Sequence, residues 1–306
     1  MNTLNDDNKD RGNDLFEEPL LPPVNEFRRF RKVFFQRKIV RVSSVLFLLI
    51  LFIAVFADLI APYGENDQDL YATLADPGIS HLLGTDSLGR DLFSRLLFGS
   101  RIALMVGVFT SIVDAVLGTL IGLVAGYVGG IVQSVIMRIT DAMMAIPNLI
   151  LSLLIIAALK AGIPGVVLAV SLAMLPGYIR LINGQVLSVK QNDYILAERV
   201  IGARKPRILF RHIFPNITSP LIVMMTMTMG GAIMAEAALS FLGIGITPPL
   251  PAWGSMCYDG FEYLTVRPLL SIVPGLMIMV LVFSLNMLGD GLRDALDPKL
   301  RGTTSE

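Results

Sequence analysis

The sequence is poor in the residues from which soluble catalytic and metal centres are built. A single cysteine, Cys257, excludes an intrachain disulfide, and two histidines far apart, His81 and His212, leave no Cys/His cluster for zinc. No GxxxxGK[ST] phosphate loop, GxSxG elbow or HExxH pair occurs in the 306 residues. Charged residues make up only 16% of the chain and balance at 25 basic against 25 acidic, so no net field favours nucleic acid. What fills the space is oil: 54% of the residues are hydrophobic, far above an ordinary soluble domain.

A helix crossing a hydrocarbon layer needs about 20 mostly apolar residues. Six stretches qualify, at about 41–60, 102–126, 135–160, 164–183, 218–239 and 270–289. Asp141 and Pro147 interrupt the third and predict a break near the proline, which cannot donate a helical hydrogen bond. The first 27 residues are acidic and rich in Pro, Asn and Asp, the composition of a disordered tail. Val55-Phe56-Ala57 resembles a small-residue cleavage site, but the region before it is too long for a signal peptide, so the first span is read as uncleaved. The chain divides accordingly into the tail, a basic segment with the first span (28–60), an outer segment (61–101), a five-span core (102–289) and a short tail (290–306).

Orientation follows from Lys and Arg near the spans. Residues 28–41, "RRFRKVFFQRKIVR", carry seven basic residues and no acid, which puts the N-terminus in the cytoplasm, and six crossings return the C-terminus there. On that count the loop at 184–217 is cytoplasmic, with six basic residues from Lys190 to Arg211, whereas 241–269 holds only Arg267 and faces out. The outer segment mixes acids with Arg90, Arg95 and Arg101. Leu88, Leu92, Arg95 and Leu96 suggest an amphipathic helix there, lying along the membrane or capping a cavity.

Several polar and small residues admit two readings each. Gly118, Gly122, Gly126 and Gly130 recur at every fourth position, suiting close helix packing or a moving or subunit interface. Asp114, near the middle of the second span, reads as a pathway residue or as a structural hydrogen-bonding acid. Glu236 reads as a gate residue or as a partner of the nearby loop backbone. Trp253 reads as an interfacial anchor or as a contact for an external protein.

The loop "DYILAERVIGARKPRILFRHIFPN" (193–216) is the sharpest signal. Asp193 suits a helix N-cap, Gly202 the left-handed position past a helix end, and Lys205-Pro206 a fresh helix start. Helix, turn, helix is therefore expected, with apolar and charged side chains alternating on a surface suited to docking a protein or to touching lipid headgroups.

This stretch resembles the "EAA" loop of permease subunits in ATP-binding cassette importers, and within them the dipeptide/oligopeptide branch. Tyr194, Ala197, Arg199, Gly202, Ala203, Arg211, His212, Ile213, Pro215 and Asn216 fit that branch's Y-x-x-A-x-R-x-x-G-A and R-H-I-x-P-N pattern. Leu196 and Glu198 depart from the general E-A-A consensus, and His212 replaces its Ile. "HLLGTDSLGRDLFSRLLFGSRIAL" (81–104), "AEAALSFLGIGITPPLPAWG" (235–254) and "NMLGDGLRDALDPKLRG" (286–302) resemble further blocks of the second permease type of these importers.

The resemblance implies an all-α, six-span subunit of the type I importer fold in a bacterial inner membrane. It implies partnership with a second homologous permease, two cytoplasmic ATPases and an external solute-binding protein. No cofactor is expected in this chain, ATP and Mg being bound by the ATPases. The loop would be the coupling helix: Tyr194, Ala197 and Ile201 packing into an ATPase, Glu198 and Arg199 making rim ion pairs, and Gly202 setting the exit angle. The solute would be a dipeptide or oligopeptide, with glutathione, nickel complexes and sugars as alternatives. The rival from another class is a carrier driven by an ion gradient, with Asp114, Asp141 and Glu236 as its ion sites.

Overall fold

The computed structural model describes residues 26–159 and 162–296. The sequence readings for 1–25 and 297–306 lie outside the described residues. The elements in order are α1 (Glu26–Phe34), α2 (Lys38–Ile60), α3 (Leu92–Val128), α4 (Gly130–Met144), α5 (Asn148–Ala158), α6 (Ile163–Lys190), α7 (Asp193–Val200), α8 (Lys205–Arg207), one wider π-type stretch (Ile208–Ile213), α9 (Phe214–Phe241), α10 (Trp253–Phe261) and α11 (Leu269–Leu296). Among the described residues the only extended pairings are two isolated bridges, Gln68 with Arg90 and Thr85 with Asp91, so the fold is all-α.

Five helical stretches are long and apolar enough to cross a membrane: α2, α3, α6, the continuous run Lys205–Phe241, and α11. The pair α4 and α5 passes the same test only taken together, as a stretch bent by 95° where Pro147 stands as the N-cap of α5, and counted as one span it makes six. The break expected at that proline is therefore present, and its cause is the missing donor of the pyrrolidine nitrogen.

The chain has two dissimilar ends. One, here the cap end, carries residues 61–91 and 242–268. The other, the loop end, carries α1, α7 and α8. Between them α3 and α6 run parallel in close register. A Cβ added at Gly122 would lie 2.7 Å from Ile182 Cβ and one at Gly126 2.7 Å from Val186 Cβ, while Gly118 meets Tyr178 still more closely. Three of the four stripe glycines thus serve packing within this chain, because only a bare Cα lets the α6 side chains sit that near. Gly130 is different. It adopts φ 56° with nothing within 4 Å of its Cβ position, at the turn where α4 begins.

Two expectations are corrected at the cap end. The separate amphipathic helix is absent: Asp91 caps α3 by accepting from Ser94 N at 2.7 Å, so Leu92, Arg95 and Leu96 form the buried first turns of the long helix itself. Leu88 lies before it, partly exposed. Trp253 is neither an interfacial anchor nor an external contact. It is 1% exposed, donates Nε1 to Leu96 O at 3.0 Å, and packs in a core with Leu92, Leu96, Met256 and Leu270. Burial with its N–H satisfied is the physical requirement for an indole in a core.

Candidate functional site

At the loop end, α7 leaves α6 through Gln191 and Asn192 and lies as a short helix of eight residues. Its N-cap is Asn192 and not Asp193, which occupies the first helical position with no side-chain cap bond. Gly202 follows the end of α7 with φ 79°, the left-handed conformation that glycine adopts without a Cβ penalty. The turn closes by Gly202 N to Arg199 O at 3.1 Å and Ala203 N to Glu198 O at 3.0 Å. A new helical stretch starts at Lys205, with Pro206 in its first turn, and runs on through Pro215 in the first turn of α9. The helix–turn–helix expected of the sequence is thus what forms.

Four isoleucines hold this loop to the bundle. Ile195, Ile208, Ile213 and Ile217 are each at most 1% exposed and pack against Tyr178, Ile182, Val186 and Val189 of α6. Polar ties are fewer. Glu198 Oε1 lies 3.3 Å from His212 Nε2, and Asn216 Nδ2 donates to His212 O at 2.6 Å and to Tyr194 Oη at 3.3 Å. Lys190 Nζ donates to Tyr127 O at 2.9 Å, tying the exit of α6 to the end of α3.

The opposite face of the loop is apolar and bare. Val200 is 87% exposed and Ile201 77%, with Tyr194, Leu196 and Phe210 also exposed. Of the residues singled out in the sequence, the structure brings Tyr194, Glu198, His212 and Asn216 together across the two helices and leaves Pro215 exposed. It leaves Ala197, Arg199, Ile201 and Arg211 pointing outward and Ala203 half-buried against the bundle. The isoleucine anchor was missed in the sequence. Its signal was a single buried Ile in each turn among charged neighbours.

The two acids within the bundle differ. Asp114 is 0% exposed on α3, and neither carboxylate oxygen has a hydrogen-bond partner among the described residues. Glu236 is 2% exposed, with Ser240 Oγ donating to its Oε1 at 2.7 Å and Ile246 N donating to Ser240 Oγ at 2.9 Å. Glu236 therefore reaches the backbone of the loop after α9 through one serine, the second of its two sequence readings.

The cap end holds charge that the sequence scattered. Asp86 accepts from Arg90 Nε at 2.6 Å, from the N–H groups of Leu88 at 2.9 Å and Arg90 at 3.0 Å, and stands 3.8 Å from Arg95 Nε. Arg95 in turn donates to Glu65 O at 2.8 Å. Asp91 meets His81 Nδ1 at 2.9 Å, and Arg267 pairs with Asp76 at 2.7 Å while donating to Leu74 O at 2.8 Å. Burial pushes the Asp259 carboxyl up from its usual range, opposed by Arg90 and Arg95 beside it. Of the three arginines in the outer segment, Arg90 and Arg95 meet Asp86 within it and Arg101 meets Asp58 of α2 at 2.7 Å.

One further ion pair, half exposed, joins two helices: Arg180 of α6 meets Asp141 of α4 just before the 95° bend. Next to it Gln133 Nε2 donates to Asn183 Oδ1 at 3.2 Å between the same helices. Among the described residues no group of three or more His, Cys, Asp and Glu side chains is arranged to hold a metal.

Comparison with known proteins gives concordant results. Residues 118–302 match the family model described as binding-protein-dependent transport system inner membrane component, and residues 25–77 match the N-terminal TM domain of oligopeptide transport permease C. The chain is 42% identical over 282 residues to the glutathione transport system permease protein GsiD of Escherichia coli O6:K15:H31 (strain 536 / UPEC), covering 92% of both chains. It is 43% identical over 282 residues, again 92% of each, to the same-named protein of Shigella flexneri serotype 5b (strain 8401). In fold it is similar to a chain of the MetNI methionine ABC transporter solved in inward-facing conformations, with a TM-score of 0.51 and 19% identity, covering 66% of this chain and 96% of that one.

Proposed function

Since this chain belongs to the binding-protein-dependent transport system inner membrane components, as an ABC importer permease of the peptide/nickel family, we propose that it is the half of a translocation pathway that imports small peptides, glutathione among them. The ion-gradient carrier is displaced by that membership. Its second half is a homologous permease. Two cytoplasmic ATPases supply the work, binding ATP and Mg that this chain has no loop to hold, and an external solute-binding protein delivers the solute.

The observation that carries the proposal is the two-faced loop at 193–216. Buried isoleucines weld one face to the bundle, and Val200, Ile201 and Phe210 offer the other face bare. An exposed apolar patch on a short rigid element is a docking surface, and its seat is a cleft of an ATPase subunit. Tyr194, Ala197 and Ile201 supply the apolar contact, and Arg199 and Arg211 the charged rim. When ATP draws the two ATPases together, the anchored loop transmits the displacement through α6 and α9. Partner and nucleotide each favour one of two states, which is what an equilibrium shift requires.

The seven basic residues of 28–41 and the six from Lys190 to Arg211 set the loop end in the cytoplasm, with both termini, in a bacterial inner membrane. The cap end then faces the binding protein. The solute follows from the relatives' name and from the branch, with peptide the wider class.

Gly202 gives the test. A Cβ at Gly202 would meet nothing within 4 Å beyond its chain neighbours, so Gly202→Val acts chiefly through left-handed strain of about 1–2 kcal/mol that reorients α7. In vesicles holding the assembled transporter, this variant should keep the ATPases bound yet lose most peptide uptake per ATP hydrolysed. Normal uptake with normal hydrolysis removes the coupling role. Uptake by this chain alone on a proton or sodium gradient, with no nucleotide, removes the whole reading.

A further inference from the structure

The Arg180–Asp141 pair is a charged feature that neither the fold nor the loop explains. Its side chains are 48% and 51% exposed, so each is half open to whatever lies beside the chain. Arg180 lies three residues inside the inner end of the fourth span (164–183), on a helix that runs on to Lys190, which places the pair within the span near its inner end. Half-open charges at that depth do not face lipid; they face a water-filled cavity or a partner.

The side chains around the pair define a ligand chemistry. Asp141 precedes the bend at Ala145, Ile146 and Pro147, where the third crossing turns by 95°. Arg138 lies three residues before Asp141, hence on the same face, is exposed, and makes no hydrogen bond or ion pair among the described residues. Arg180 in turn uses its guanidinium for one carboxylate oxygen of Asp141 and for no other acceptor among the described residues. Two cations flank one acid, and the planar fork of Arg180 keeps donors to spare. That is the set a zwitterion needs: a fork for its carboxylate and an acid for its ammonium.

We propose that Arg180, with Asp141 and Arg138, forms a solute-binding station in the translocation pathway, at which Arg180 takes the terminal carboxylate of a peptide and Asp141 its amino group. The station rests on the reading of the chain as a peptide importer and adds where this half of the pathway holds its cargo.

The experiment uses vesicles containing the chain with its second permease, both ATPases and saturating binding protein, and measures uptake of trialanine and of trialanine C-terminal amide. The binding protein is the same in every vesicle, so the ratio of variant to wild-type rate for each peptide cancels its own preference. Arg180→Gln should slow trialanine about tenfold or more, the loss expected of one charge-assisted pair, while changing the amide by less than about twofold. Arg180→Lys keeps the charge without the fork and should fall between. Hydrolysis stimulated by the loaded binding protein, and recovery of the second permease on purification, should stay at wild-type levels.

Equal slowing of both peptides, or of neither, overturns the station. So does loss of the second permease from the Arg180→Gln complex, which would make the pair a subunit contact instead. Wild-type vesicles that import neither peptide would sink the peptide-importer reading, and the station with it.

Discussion

The two ends of the molecule satisfy their groups in opposite ways. At the cap end, Asp86 collects two backbone N–H groups and two arginines, Asp91 collects His81 and the Ser94 N–H, and Trp253 is sealed in the core with its indole N–H bonded. At the loop end, isoleucines bury one face and apolar side chains stand bare on the other. The first end pairs its buried charges within the chain, while Leu70, Tyr71 and Ile79 stand exposed on its surface. The second has few polar ties, so the contrast separates an end held by charge from an end held by apolar burial.

The cap end should be where one substitution does most damage. Asp86→Ala leaves Arg90, 4% exposed, and Arg95, 2% exposed, buried without their shared carboxylate. Breaking a buried pair by removing one partner costs about 3–5 kcal/mol. Here two arginines lose their shared carboxylate at once and keep only Asp259, 4.0 Å from Arg90, and the Glu65 carbonyl bonded to Arg95. Thermal unfolding of the detergent-purified protein should show a strongly lowered midpoint, or the yield of folded protein should collapse. A near-normal midpoint would mean that the network is solvated and that the cap is not the rigid end.

Ile195→Ala sharpens the comparison from within the loop. Ile195 is 0% exposed, and truncating it opens a cavity under α7 at a cost of about 2–4 kcal/mol. Because the loop end has few polar ties, that loss should appear as local loosening. Hydrogen exchange at residues 193–204 should rise, while the cap end exchanges as before.

Much of this was legible in the sequence, for reasons that particular residues make plain. Gly202 and Lys205-Pro206 restrict the backbone locally, so the helix–turn–helix needed no tertiary information. Pro147 likewise announced the bend, and the glycine stripe announced close packing. What resisted reading depends on partners distant in the chain. Arg95 looked like part of an amphipathic face because its acceptor at Glu65 lies 30 residues earlier. Trp253 looked like an interfacial ring because hydropathy does not distinguish a ring at a boundary from a ring in a core, and its acceptor is 157 residues away. The Arg180–Asp141 pair, 39 residues apart, was invisible as a pair although Asp141 had been noticed by itself.

The smallest expected change in stability belongs to Val200→Asp, and it is the most discriminating. Five residues after Ile195 on the same short helix, Val200 is 87% exposed and touches nothing whose loss would matter to the fold. Surface substitutions of this kind usually stay within about 0.5 kcal/mol, so the purified chain should unfold as wild type. Seated in an ATPase cleft, however, the new carboxylate would be stripped of water where an apolar side chain had been. Affinity for the ATPases should then fall by about tenfold or more, the effect of one desolvated interface residue worth roughly 1.4–2 kcal/mol. Co-isolation of the ATPases with the variant, titrated against wild type, reads this directly. If the variant retains them fully, the bare face of α7 is not the seat, and the contrast between the two ends loses its functional meaning.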